Sequence, residues 1–225
     1  MTKGKKIDTY TLVLASLLTA IVIVLQFMGA SIRFGMFSIS LVLIPIVIGA
    51  AKCGVLVGGW LGFVFGLVVL LSGDAAPFMA ISVVGTIITV IVKGVACGLA
   101  TALAYKGVYR YMQYRSRKKI EFFTKEGIIC ANCKDGMYDY ISRNSAYVAT
   151  LVAAIVCPVV NTGVFLLGCL TFFFEAIIPQ DVGAWGVIKF MIFTLVGGNF
   201  LFELGTNIVL NPVIVRLLNI VKKNK

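Results

Sequence analysis

The chain alternates long apolar runs with short polar connections. Six runs stand out, over residues 10–28, 37–52, 54–72, 79–105, 146–174 and 186–220. Most approach or exceed the roughly 20 apolar residues that a helix needs to cross the hydrocarbon of a bilayer. The second is short and carries Pro45, and the last is too long for one straight crossing. Gly197-Gly198-Asn199, then Gly205, Asn207 and Asn211-Pro212, supply bending and helix-breaking chemistry inside it,. The pattern predicts an all-α integral membrane protein of six transmembrane helices, a single domain over residues 1–225.

Composition agrees with that reading. The 225 residues are 60% hydrophobic and 13% charged, with mean hydropathy +1.03, whereas soluble domains average about 45–50% and 25%. The balance argues against a water-soluble domain. The basic start Met1–Lys6 runs into an apolar stretch from Tyr10 to Met28. That stretch is too long for the roughly 7–15 residues of a signal-peptide core, so it reads as a retained span.

Charge then supplies orientation. The net +11 comes from 20 Lys and Arg against 9 acids, and only Arg33, Lys93 and Lys189 among the cations lie away from one predicted side. The polar segment Lys106–Ser145 is expected as a long basic cytoplasmic loop between spans four and five. Positive charge marks the cytoplasmic face, and an even number of spans places both termini there, with Lys3, Lys5 and Lys6 at one end and Lys222, Lys223 and Lys225 at the other. Gly107–Phe123, where Tyr109, Tyr111, Tyr114, Phe122 and Phe123 stand among cations, has the composition of an interfacial helix or of a surface for a cytosolic partner,. Nucleic acid is disfavoured, because the basic tract 115–119 suits a solvated or lipid-facing inner rim.

Cys53, Cys97, Cys157 and Cys169 fall in apolar runs and read as small buried hydrophobes,. Cys130 and Cys133 form a spaced pair, but a zinc site needs about four ligands, and the chain has no histidine,. No metal and no cofactor is expected. There is also no P-loop and no paired carboxylates in a polar setting, so no catalytic residue is assigned.

Polar groups inside hydrocarbon are costly and mark sites. Lys93 in the fourth run and Glu203 in the sixth reach similar depth; they pair with each other, or contact a ligand, or Lys93 snorkels to the inner face,. Asn199, Glu203 and Asn207 recur every four residues and so share one helix face, which should point inward,. Asn161 and Thr162 add donors and acceptors from the fifth run, and Arg33 and Lys189 near the outer surface suit an anion. A few polar residues in a Gly-rich apolar bundle suit a pocket for a small organic solute. The glycines of the third run, Gly54-x-x-x-Gly58 and Gly62-x-x-x-Gly66, allow close approach of backbones,.

These residues resemble the substrate-binding S components of energy-coupling factor (ECF) vitamin transporters. The resemblance rests on Ser16-Leu-Leu-Thr-Ala20, Ile39–Ala50, the Gly-rich third run and Val92–Leu99 running to Tyr105. Asn161–Gly168, and Gly198–Glu203 followed by Asn207 and Pro212, look most like the pantothenate-specific branch. The resemblance implies an S-component bundle in a prokaryotic cell membrane, with both termini cytoplasmic. It further implies an outward pocket for a water-soluble vitamin, a transmembrane T component docking on the Ser16 and Ala20 face, two cytosolic ATPases, and a bundle that topples to deliver its cargo. Substrate-binding residues would be Asn161, Thr162, Asn199, Glu203 and Asn207, with Lys93 or Arg33 meeting a carboxylate. Riboflavin or folate S components share most features; a membrane scaffold, or an enzyme using the Cys130 and Cys133 thiols, are the readings from other classes.

Overall fold

The computed structural model describes residues 8–31, 33–34, 37–38, 41–126, 134–174 and 197–222, with Gly186 and Lys189. Its helices are α1 (Thr9–Ser31), α2 (Leu43–Cys53), α3 (Val55–Leu71), the single turn α4 (Ala76–Met79), α5 (Val83–Lys125), α6 (Lys134–Phe172), α7 (Gly197–Val209) and α8 (Asn211–Lys222). Among the described residues the only strands are β1 (Arg33–Phe34) and β2 (Phe37–Ser38), which pair antiparallel.

Local chemistry sets the boundaries. Gly54 has φ 88°, in the left-handed region that favours glycine, and it separates α2 from α3,. Ser82 is extended, and its hydroxyl accepts a hydrogen bond from the Gly85 N–H at 3.2 Å, capping α5,. The break between α7 and α8 falls at Leu210, two residues before Pro212, which offers no N–H to the Ile208 carbonyl,. The Leu210 N–H still reaches the Thr206 carbonyl at 2.9 Å and the Ile214 N–H reaches that of Leu210 at 3.0 Å. The Asn211-Pro212 breaker therefore interrupts the last apolar run.

The described parts of the six apolar runs fall mainly on α1, α2, α3, α5, α6 and the α7–α8 pair; of residues 187–196 in the last run only Lys189 is described. Three helices, α1, α5 and α6, are long and apolar enough to cross a membrane. α3 has 17 residues and α2 only 11, about 17 Å at the usual rise, or half of the hydrocarbon thickness. The segment 106–145, read from the sequence as a loop, is largely helical: 106–125 continue α5 unbroken and 134–145 open α6. Its polarity does not interrupt the helix, because Gly107 is the one weak helix former of the Gly and Pro kind between Lys106 and Lys125,. The Tyr109 hydroxyl and Ser142 Oγ, 3.2 Å apart, join the two extensions. Cys130 and Cys133 lie outside the described residues.

The main core gathers Leu18 and Val22 of α1, Ile46 of α2, Leu61 and Phe65 of α3, Cys97 of α5, Cys157 of α6 and Ile214 of α8. Cys97 and Cys157 are fully buried, as a small-hydrophobe reading expects, with their sulfurs 3.2 Å apart. Cys169 is buried in a second cluster with Phe173, and Cys53 is half-buried.

α3 and α5 meet along a glycine seam. A Cβ added at Gly62 would collide with the Gly94 carbonyl, one at Gly94 with that of Gly62, and one at Gly98 with that of Gly58. Each four-residue step along α3 matches four backwards along α5, the register of antiparallel helices touching through backbone. Backbone cannot swing aside as a side chain can. Gly62→Ala should therefore cost about 1–3 kcal/mol, whereas Gly107→Ala, where nothing lies within 4 Å of the added carbon, should be neutral or gain up to about 1 kcal/mol. Denaturant titration of the detergent-solubilised protein checks both, and equal effects would remove the seam from the account.

Candidate functional site

Three helices converge on Lys93. It lies about ten residues inside the Val83 end of α5, or about 15 Å deep,. Its Nζ stands 5.7 Å from the ring centroid of Phe65 on α3 and 5.3 Å from that of Phe165 on α6. Aromatic faces attract a cation through their quadrupole, and more strongly where water is thin. The carboxylates coupled electrostatically to Lys93 are Glu203 of α7 and Asp74, in the turn that follows α3. Lys93 is half-buried and Glu203 is 2% exposed.

Glu203 is held from its own helix. The Asn199 amide, one turn earlier, donates to Glu203 Oε1 at 3.2 Å. Asn207, one turn later, is 1% exposed, and Asn211 at the start of α8 is fully buried. The predicted inward stripe thus exists and is one residue longer than expected. Asn161 is buried on α6 and lies one turn before Phe165, so it shares the face that meets Lys93,. Its neighbour Thr162 is half-buried.

Several of these groups carry unmet hydrogen-bonding capacity. Among the described residues, Asn161 Oδ1, both amide atoms of Asn207 and of Asn211, and Thr89 Oγ1 are buried without a hydrogen-bond partner. Leaving such an atom unsatisfied costs about 1–3 kcal/mol. A bound polar solute or water is the chemistry that meets this demand.

The structure thus sets Glu203, held by Asn199, in the electrostatic field of Lys93, with Asn207 one turn from Glu203 and Asn161 one turn from Phe165. Arg33 opens β1, but its side chain lies outside the described residues. Lys189 is exposed. Ser16 and Ala20 are both exposed on α1, and the Ser16 hydroxyl turns back to the Leu12 carbonyl at 3.0 Å.

Sequence reasoning missed Gln26 and Asp74. The Gln26 amide, 5% exposed, donates to Asp74 Oδ2 at 2.6 Å, joining α1 to the turn beside Lys93. A glutamine within an apolar run met the same criterion that singled out Lys93, and it could have been found. Phe65 and Phe165 carried no such signal, because a phenylalanine in an apolar helix looks like core.

Long apolar helices mark a membrane protein, and this one gathers buried polar side chains from several of its helices. The chain belongs to the ECF transporter, substrate-specific component family, whose model matches residues 10–215. It is therefore a substrate-binding transport subunit and not the ATPase. No curated protein and no solved structure matches it.

If Lys93 and Glu203 act on each other, Lys93→Met and Glu203→Gln should each lower stability and the double variant should lose less than their sum. A double-mutant cycle on thermal unfolding in detergent should give a coupling of about 0.5–3 kcal/mol. Strict additivity would show two independent groups.

Proposed function

We propose that this chain captures a small water-soluble vitamin, pantothenate first among candidates, for ATP-driven uptake. The observation that carries the reading is the set of buried, unsatisfied asparagine amides beside the Asn199–Glu203 pair, with Lys93 held between Phe65 and Phe165. Pantothenate presents hydroxyls and an amide to such donors and acceptors, and a carboxylate to Lys93 or Arg33. Riboflavin or folate would place larger aromatic surface against Phe65 and Phe165.

In this reading Asn161, Thr162, Asn199, Glu203 and Asn207 line the pocket. The bundle makes six crossings in a prokaryotic plasma membrane, with both termini cytoplasmic and the pocket open to the outside. The exposed Ser16 and Ala20 face of α1 meets the transmembrane T component, and two cytosolic ATPases complete the transporter.

Equilibrium binding of the detergent-purified chain to a vitamin panel tests this. A sub-micromolar dissociation constant, beyond about −8 kcal/mol, is expected for one vitamin, and its absence across the panel would overturn the proposal. Asn161→Ala should weaken that affinity by about 1–3 kcal/mol through a ligand group left unpaired. An unchanged affinity would remove Asn161 from the pocket.

A further inference from the structure

The extensions of α5 and α6 lie beyond the polar site and serve no part of it. α5 has 43 residues and measures about 64 Å, twice the roughly 30 Å of a hydrocarbon core,. Counting about 20 residues from Val83 brings the hydrocarbon edge near Tyr105, whose ring stacks on Tyr109 at 5.9 Å,. Lys106 follows at once. From there the helix continues for about 30 Å, while the headgroup layer is only about 5–7 Å deep on each side. Even at a steep 40° tilt, which moves the hydrocarbon edge to about residue 109, Phe122 stands about 15 Å past it. The unbroken helix carries this surface away from lipid.

That surface is built for contact. Tyr111, Tyr114, Arg115, Lys118, Phe122 and Phe123 recur at three- and four-residue spacing on one face and line an open groove of about 420 Å³,. Tyr111, Tyr114 and Phe122 are each about three-fifths exposed, at 61%, 60% and 59%. Lys118 Nζ lies 4.6 Å over the Tyr114 ring. Contiguous exposed aromatics in water mark interaction sites, and Tyr and Arg are the residues enriched at interface centres. Between Lys106 and Glu126 the cations are Lys106, Arg110, Arg115, Arg117, Lys118, Lys119 and Lys125, against Glu121 and Glu126. A second copy of this stripe would be repelled, and an apolar patch rimmed by acids would be its complement.

We propose that the α5 stripe docks such an acidic-rimmed apolar patch on the water-soluble ATP-hydrolysing subunit. This rests on the transport reading above, in which that subunit lies in water on the side the cations mark. The projecting helix spans the gap from the bilayer to it.

The test uses the full chain reconstituted with its T component and ATPase pair in nanodiscs of phosphatidylcholine and phosphatidylglycerol. With p-benzoylphenylalanine at Tyr114 or Phe122, irradiation should yield a covalent adduct with an ATPase subunit. Arg115→Glu/Lys118→Glu/Lys119→Glu should weaken ATPase association with the membrane complex at least tenfold at low salt, and Phe122→Ala/Phe123→Ala should do the same with charge retained. Vitamin binding by each variant chain alone should stay at the wild-type value, which reports an intact fold. Adducts only with lipid, with copurifying RNA or with the T component would overturn the contact, as would unchanged association of both variants. If the p-benzoylphenylalanine chains bind vitamin and assemble as wild type does but yield no adduct, the contact alone is overturned; a wild-type chain that binds no vitamin and joins no complex overturns the transport reading and the contact with it.

Discussion

The backbone contact between α3 and α5 governs the geometry of everything around it. Gly62 and Gly94 let the two helices touch through their carbonyls, and the residues of the site sit beside them in sequence. Lys93 precedes Gly94, and Phe65 follows Gly62 by three positions, less than one turn,. The helix separation that the glycines permit is thus the separation at which the Lys93 ammonium meets the Phe65 face at 5.7 Å. A wider spacing would leave the cation in hydrocarbon with one aromatic neighbour fewer.

Magnitudes explain why so many groups converge there. A lysine at the centre of a membrane helix costs about 2.5–3.5 kcal/mol on insertion scales, and a cation over an aromatic ring recovers about 0.5–2 kcal/mol. Phe65 and Phe165 together recover about 1–4 kcal/mol, a sum comparable with the penalty, and the fields of Glu203 and Asp74 act on the same cation. The buried asparagines are different. Their amides add no charge, yet Asn161, Asn207 and Asn211 hold hydrogen-bonding capacity that the described protein groups do not use. The site sets one ammonium against two carboxylates, while directional hydrogen bonding is left open.

The helical architecture was legible because hydrocarbon imposes a long-range rule on composition that survives local ambiguity. The stripe Asn199, Glu203 and Asn207 could be read from spacing alone, since polar residues one turn apart share a face wherever the helix lies. Two features resisted. Charge reads 106–145 as a polar connection, but polarity says nothing about whether a helix stops, and α5 runs on to Lys125. The Gln26–Asp74 contact joins residues 48 apart, and no periodicity links a glutamine in one helix to an aspartate in a distant turn. Proline chemistry was informative at Pro212, which removes a donor beside the α7–α8 break, but Pro158 lies inside α6 without ending it, and glycine only permits what packing selects.

The unbroken course of α5 has a mechanical consequence. Lys93 and Phe122 belong to one rod, with no proline between them to absorb a bend. Such a rod acts as a lever: a rotation of about ten degrees about its Val83 end sweeps the far tip sideways by about 11 Å over its length of about 64 Å. The same rotation moves Lys93, about 15 Å from that end, by only about 2.6 Å, so a modest shift at the polar site becomes a movement the size of a helix diameter at the distant end.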